Sequence, residues 1–182
     1  MSFPPMTWVR HAFVISQNDP PGGRGSASGC AEADVKAIAA YLLPQDIVLG
    51  LDAVDREQLF ALIGRHMGVY HGLDEHFVAH CLSRREQAGS TALGLGVAIP
   101  HARIDGLERV RVLYARLRAP IPFAAPDNLP VSHVLALLVP HPATDEHLRL
   151  LADAAQMFAD RRFREQLSAA ADLREVTRLF AG

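Results

Sequence analysis

Lysine is almost missing from this chain of 182 residues: Lys36 is the only one. A phosphate-binding loop of the G-x-x-x-x-G-K-[ST] kind needs a lysine after its glycines, so Gly89-Ser90-Thr91-Ala92-Leu93-Gly94 is only an echo of one. The dinucleotide fingerprint fails as well, because Gly94-Leu95-Gly96 is not followed by a third glycine at the required place. Neither ATP nor NAD is implied. Cysteine is scarce, and Cys30 and Cys81 have no metal or redox spacing, which predicts free thiols in a reducing cytoplasm. The formal net charge is only −2, against any general affinity for the phosphate backbone of nucleic acid. No apolar stretch is long enough for a membrane span, and none has the form of a signal peptide. G-x-S-x-G and H-E-x-x-H are both absent, which removes the nucleophile elbow and the zincin helix.

What is present is a globular balance of 49% hydrophobic and 21% charged residues, with a length that suits one well-buried domain and a tail. Pro4-Pro5, Pro20-Pro21-Gly22-Gly23 and the small-residue run at 25–29 predict a flexible N-terminal extension over residues 1–34 and a folded domain over 35–182. The folded part opens with a short helix to about Leu43, a break at Pro44 and a strand at Ile47-Val48-Leu49. Asp55 and Asp74 then open helices that run to about Tyr70 and Gln87. In the first of these, Leu59, Leu62, Ile63 and Met67 recur at core-facing spacing; the second carries Phe77, Cys81, Arg84 and Arg85, with Cys81 as a small core residue. Residues 110–117 read as a strand buried on both faces, and Val131 to Val139 as the central strand. Pro120, Pro122, Pro126 and Pro130 predict a loop or edge hairpin between them. Thr144 is a good N-cap for a helix whose packing stripe is read as Leu148, Leu151, Ala155 and Phe158, and two short helices follow from about Arg162 and Asp172.

The chemistry points to Arg85–Arg103. Val97-Ala98-Ile99 reads as a short strand that gives out at Pro100 and presents His101, with an arginine at either end of the segment to receive an anion. An unprotonated imidazole can attack phosphorus, and a guanidinium fork can bind two phosphoryl oxygens; backbone N–H groups around Gly94, Gly96 and the turn after His101 could add donors. The alternative is a strand-end histidine hydrogen-bonded to a neighbour. Ser90 is expected to bond the loop backbone, and Arg84 to be a solvated partner of Glu86 or Asp74. Arg161, Arg162 and Arg164 read as a solvated helix junction. His76 and His80 stand four apart on one helix but lack further ligands at suitable spacing, so they read as solvated rather than as a metal site.

The pattern R-E-x-x-G-S-T-x-x-G-x-G-x-A-I-P-H over residues 85–101 is followed by Asp127-Asn128-x-Pro130-Val131, Leu135-Ala136-Leu137-Leu138-Val139-Pro140 and Glu146-His147-Leu148. With these residues the chain resembles the IIA domain of the bacterial phosphoenolpyruvate phosphotransferase system (PTS). The match is to the fructose/mannitol (type-2) class, closest to the stand-alone nitrogen-regulatory IIA proteins, over about Val35 to the C-terminus. The resemblance implies an α/β fold, three-layer α/β/α with a mixed central sheet flanked by helices. It implies that His101 is the phosphoryl-accepting nucleophile, with Arg85 and His147 as its active-site companions, and that no metal or organic cofactor is needed. His147 is expected to be neutral and near His101; a helix-start histidine bonded to the backbone is the other reading. Leu93, Leu95 and Leu148 are expected to ring a docking surface.

The resemblance further implies a cytoplasmic phosphorelay protein charged from phosphoenolpyruvate through an HPr-like phosphocarrier protein. Its output would be regulation of partners such as a sensor kinase or potassium transporter, a reading favoured by the lack of a fused IIB or IIC segment. The alternatives are phosphate transfer to a IIB domain in sugar uptake and a binding module without phosphoryl transfer. Ala102 departs from the family's usual glycine after the histidine, which bears on the turn geometry there.

Overall fold

A computed structural model describes residues 37–142 and 144–182. The expected N-terminal extension, Cys30 and the start of the first helix lie outside the described residues. Pro44–Asp46 forms a single 3-10 turn that leads into β1 (Ile47–Leu51). Helices α1 (Arg56–His71) and α2 (Glu75–Gln87) follow. Then come β2 (Ala92–Gly94), β3 (Val97–Ala98), β4 (His101–Ile104), β5 (Arg111–Ile121) and β6 (Val131–Pro140). Helices α3 (Asp145–Ala159), α4 (Arg161–Ala169) and α5 (Leu173–Ala181) close the chain.

Capping explains where the helices begin. Asp55 accepts a bond from the Gln58 N–H at 2.8 Å, Asp74 from Phe77 at 2.9 Å and Asp172 from Glu175 at 2.9 Å, each satisfying an orphan donor of the first turn. α1 stops at Gly72, whose left-handed φ of 68° lets its N–H turn back to the Gly68 carbonyl. α1 and α2 approach so closely that a Cβ on Gly64 would overlap the Glu75 carbonyl, which accounts for a glycine inside a helix.

The sheet order is β1-β5-β6-β3-β2, with β4 also on β6. β6 runs antiparallel to β5 on one edge and parallel to β3 and then β4 on the other, while β1 runs parallel to β5, so the sheet is mixed. Along β6, Val134, Ala136 and Leu138 face α1 and α2, and Leu135, Leu137 and Val139 face α3, α4 and α5. A strand covered on both faces reads as an unbroken apolar run, and this one does.

Three expectations need correction. Pro120 lies within β5 and not in the loop; it sits where the register with β6 shifts between Arg116 and Ile121, a place that tolerates a missing ladder donor. The buried stripe of α3 is His147, Leu150, Ala154, Met157 and Phe158, while Leu148 is exposed and Leu151 and Ala155 are only partly buried. Both stripes have helical spacing, so periodicity alone could not choose between adjacent faces. Arg164 is not merely solvated: it donates to the Phe158 and Ala159 carbonyls at 2.7 and 2.8 Å, closing the end of α3, whereas Arg161 pairs with Glu165 at the surface.

Candidate functional site

The strand that carries the key histidine does not give out at Pro100; it pauses and resumes. β3 and β4 lie end to end along β6, with Ala98 opposite Val134 and His101 opposite Leu137. Between them Pro100 has no N–H to give, but its carbonyl accepts from Leu137 at 2.9 Å, so the ladder loses one donor without losing the partner strand. His101 therefore stands at the first position of β4, half-buried, on backbone held by the central strand.

Arg85 projects from the last turn of α2, where a cation is favoured by the helix dipole. Its Nε donates to His101 Nε2 at 3.0 Å and its Nη1 to the Gly89 carbonyl at 2.9 Å. The other ring nitrogen, Nδ1, donates to the Ile99 carbonyl at 2.9 Å. A carbonyl can only accept and a guanidinium can only donate, so the two contacts assign the tautomer: Nδ1 holds the proton and Nε2 carries the lone pair. Burial lowers the imidazole pKa below its ordinary value; the Ile99 bond opposes this, and the charge of Arg85 adds to the lowering. The ring is kept neutral, with its nucleophilic atom beside a cation.

The next residue, Glu86, is buried and holds the loop that follows. Its carboxylate accepts from the Thr91 N–H at 3.0 Å and hydroxyl at 2.6 Å, and it meets Arg56 at 3.5 Å. Arg56, and not Arg84, is therefore its cationic partner; Arg84 is exposed. Ser90 donates to the Phe123 carbonyl at 2.9 Å and accepts from Ala92, the loop-backbone role expected of it. Gly94, Leu95 and Gly96 all have positive φ, at 84°, 58° and 76°, and make the tight reversal between β2 and β3. The Leu95 N–H is taken by Asp127 at 2.6 Å, and a Cβ on Gly94 would lie 2.8 Å from the same carboxylate oxygen. A carboxylate at this turn is unfavourable to an anion, so the expectation of phosphate donors there fails at Leu95: this part of the glycine-rich stretch shapes the hairpin.

Ala102 resolves the departure from the family pattern. It lies in β4 opposite Leu138, buried against the α1 and α2 side, and it is not among the residues with positive φ. Its backbone needs no glycine. His147 is buried in the first turn of α3, where its Nδ1 accepts from the Thr144 N–H at 3.0 Å. That contact puts the proton on Nε2 and realises the reading of a helix-start histidine bonded to the backbone. Among the described residues, no hydrogen bond joins His147 to His101 or Arg85; His101 and Arg85 are the pair the structure brings together. Leu93, Leu95 and Leu148 are all exposed.

A model of the family "Phosphoenolpyruvate-dependent sugar phosphotransferase system, EIIA 2" matches residues 40–182. The chain belongs to the PTS IIA type-2 family. A nitrogen regulatory protein of Bradyrhizobium diazoefficiens is 33% identical over 144 residues, covering 79% of this chain and 94% of the relative. The crystal structure of nitrogen regulatory protein IIA-Ntr from Neisseria meningitidis superimposes with a TM-score of 0.75 at 38% identity, over 79% of this chain and 98% of that one. The IIA mannitol structure from Escherichia coli, at 22% identity and a TM-score of 0.65 over 77% and 99%, shares the fold. Members of the PTS IIA family are phosphotransfer components, and the mixed sheet between two helical layers is their architecture. No helix among the described residues is long and apolar enough to cross a membrane.

Some features of this IIA domain escaped the sequence reading. Glu86 is legible in the sequence only as a possible partner of Arg84, although its place inside the matched motif is a signal. The metal-capable cluster among the described residues is Asp46, His66 and His71, on the β1 side of the sheet with β5 and β6 between it and β4. His76 and His80 are exposed on α2, as solvated histidines are.

Proposed function

We propose that this IIA protein is a phosphohistidine relay component of a nitrogen-regulatory phosphotransferase system, and that His101 Nε2 is the atom that receives the phosphoryl group. The reading is carried by the unprotonated Nε2 held 3.0 Å from the Arg85 guanidinium. The donor is the phosphorylated imidazole of an HPr-like phosphocarrier protein. In the transfer, the Nε2 lone pair forms the new P–N bond while the donor's P–N bond breaks, and the donor ring keeps the electron pair and takes up a proton. His101 keeps its own Nδ1 proton on Ile99, so the acceptor needs no general base.

For the attack, Arg85 gives up its bond to Nε2, freeing the lone pair, and turns its N–H groups to the phosphoryl oxygens, where a guanidinium fork stabilises the spread of charge. His147, matched by the family motif and left with an Nε2–H, is the second donor in this proposal. No metal or organic cofactor enters, because the phosphoramidate arrives activated. Regulation is the output: a dianionic group added to His101 changes which partner surface fits there. The similarity to nitrogen regulatory proteins over most of the chain supports this output over sugar uptake.

The test is incubation with labelled phosphoenolpyruvate, enzyme I and an HPr-like carrier. Acid-labile, base-stable label on the wild type and none on His101→Ala supports the relay. An unlabelled wild type leaves a binding module instead. Passage of label to an added IIB protein would favour sugar transport.

A further inference from the structure

Away from His101, and independent of the phosphoryl-transfer reading, the chain buries a second cluster of imidazole and carboxylate groups. We propose that Asp46, His66 and His71 form a binding site for one divalent zinc ion. Asp46 closes the 3-10 turn before β1, and its side chain is only 1% exposed. Its Oδ1 receives both His66 Nε2 and His71 Nε2, each at 2.8 Å, so two imidazoles converge on a single oxygen. The three ligand atoms lie within 4.8 Å of one another.

Two imidazole nitrogens and a carboxylate oxygen are a donor set that zinc takes in tetrahedral sites with one position left to water. Ligand atoms at zinc bonding distance sit about 3.3 Å from one another in a tetrahedron. The two imidazole nitrogens need retreat from the oxygen by about half an ångström, and from a separation of no more than 4.8 Å they come to the same spacing through side-chain torsions. The fourth position has a route to solvent, because His66 is 13% exposed while His71 is 4% exposed.

The donors are already oriented. His71 is the last residue of α1, and the chain beyond it is held by bonds from the Gly72 N–H to Gly68 and from the Leu73 N–H to Met67. The Tyr70 ring packs on His66 with centroids 4.5 Å apart. The Asp46 N–H bonds the Leu43 carbonyl at 2.9 Å. A zinc ion here would take the Nε2 lone pair of each ring, whose proton then sits on Nδ1, and bring a positive charge to a carboxylate that has little solvent. It also ties the end of α1 to the start of β1. His66 and His71 are five apart, not the four of one helix face, which is why their spacing did not mark them.

The test uses untagged full-length protein freed of metal by a chelator and titrated with Zn2+ in a calorimeter. The site predicts one equivalent bound, weaker binding as the pH is lowered and protons compete for the imidazoles, and a higher thermal midpoint when loaded. Co2+ in its place should give the visible absorption of a tetrahedral site. His66→Ala and His71→Ala should each weaken binding by more than the ~10–100-fold that loss of an outer-shell partner costs, while a His76→Ala, His80→Ala double variant should bind as the wild type does. The proposal is overturned if wild type shows no saturable equivalent, or if binding survives in the His66→Ala, His71→Ala double variant. It is equally overturned if loss of His76 and His80 abolishes binding. Should the alanine variants fail to fold, the Co2+ spectrum of the wild type decides: octahedral or absent bands reject the site.

Discussion

Arg85 and His101, sixteen residues apart in sequence, are joined by a hydrogen bond of 3.0 Å from the guanidinium Nε to the imidazole Nε2. The bond spans the end of a helix and the start of a strand, and it decides the protonation of the ring. Because Ile99 takes the Nδ1 proton, the imidazole faces Arg85 with a lone pair. The cation opposes further protonation and, in the proposed relay, serves the oxygens of the incoming phosphoryl group.

Replacing Arg85 with alanine should therefore slow phosphorylation of His101 by about 10²–10³-fold, the usual cost of losing one oriented transition-state donor. Arg85→Lys should recover only part of this, since an ammonium keeps the charge but not the fork. Single-turnover transfer from a phosphorylated carrier measures both. Rates within a few-fold of wild type for Arg85→Ala would remove Arg85 from the mechanism.

The pH profile of transfer follows from the same geometry. Burial, with Arg85 adding to it, holds the His101 pKa below the ordinary imidazole value of 6.5, so the nucleophile stays available as the pH drops through that value. Transfer limited by this ring should keep its rate at pH 6.5 and lose it only at lower pH, and in Arg85→Ala the midpoint should move upward. A wild-type midpoint above 6.5 would contradict a ring kept neutral in this way.

His133 makes a separate prediction about stability. Its Nε2 bonds Ser168 Oγ at 2.9 Å, and Ser168 in turn donates to the Arg164 carbonyl, so the imidazole is the donor in that contact and Nδ1 accepts from Tyr114 at 2.8 Å. Burial, then the charges of Arg116 and Arg164, lower its pKa from 6.5 to about 4. Between these values the unfolded chain binds the proton that the folded one refuses. The stabilisation is thus complete above about pH 6.5 and is lost as the pH falls toward 4, at a total cost on the order of 3 kcal/mol. Denaturant unfolding at pH 7.5 and 4.5 should show a smaller acid-side loss in His133→Asn than in wild type. Equal losses would exclude His133 as a contributor.

Ala102→Gly tests whether the family's usual glycine is wanted in this chain. Ala102 occupies ordinary strand backbone and buries its methyl in the core, so the change should lower stability by roughly 0.5–1 kcal/mol through backbone entropy, with a little more from lost packing. It should leave transfer to His101 within a few-fold. Increased transfer in the glycine variant would show that the turn is strained by alanine after all.

Much of this was legible in the residues, and the pattern of success has a physical basis. Asp55, Asp74 and Asp172 announce helix starts because a cap bonds within three residues of itself, a distance that sequence displays directly. β6 is legible because burial on both faces demands an apolar residue at nearly every position. Arg85 and His101 were both marked by their motif. The errors arose where two outcomes share one pattern: Leu148 and Leu150 fit adjacent faces of the same helix, and Pro100 is compatible with either an ended or an interrupted strand.

By itself, the sequence determined most of the helices and strands in order, the absence of a lysine-dependent nucleotide loop, and the motif that singles out His101 and Arg85. Those properties depend on composition and on contacts a few residues long. Only the tertiary structure decided that Nε2 of His101 is the unprotonated nitrogen, that Glu86 belongs to Thr91 and Arg56, and that Asp46 draws two histidines onto one oxygen. Each of these depends on where separate elements stop and how they pack together, and a hydrogen bond acts over about 3 Å whatever the separation along the chain.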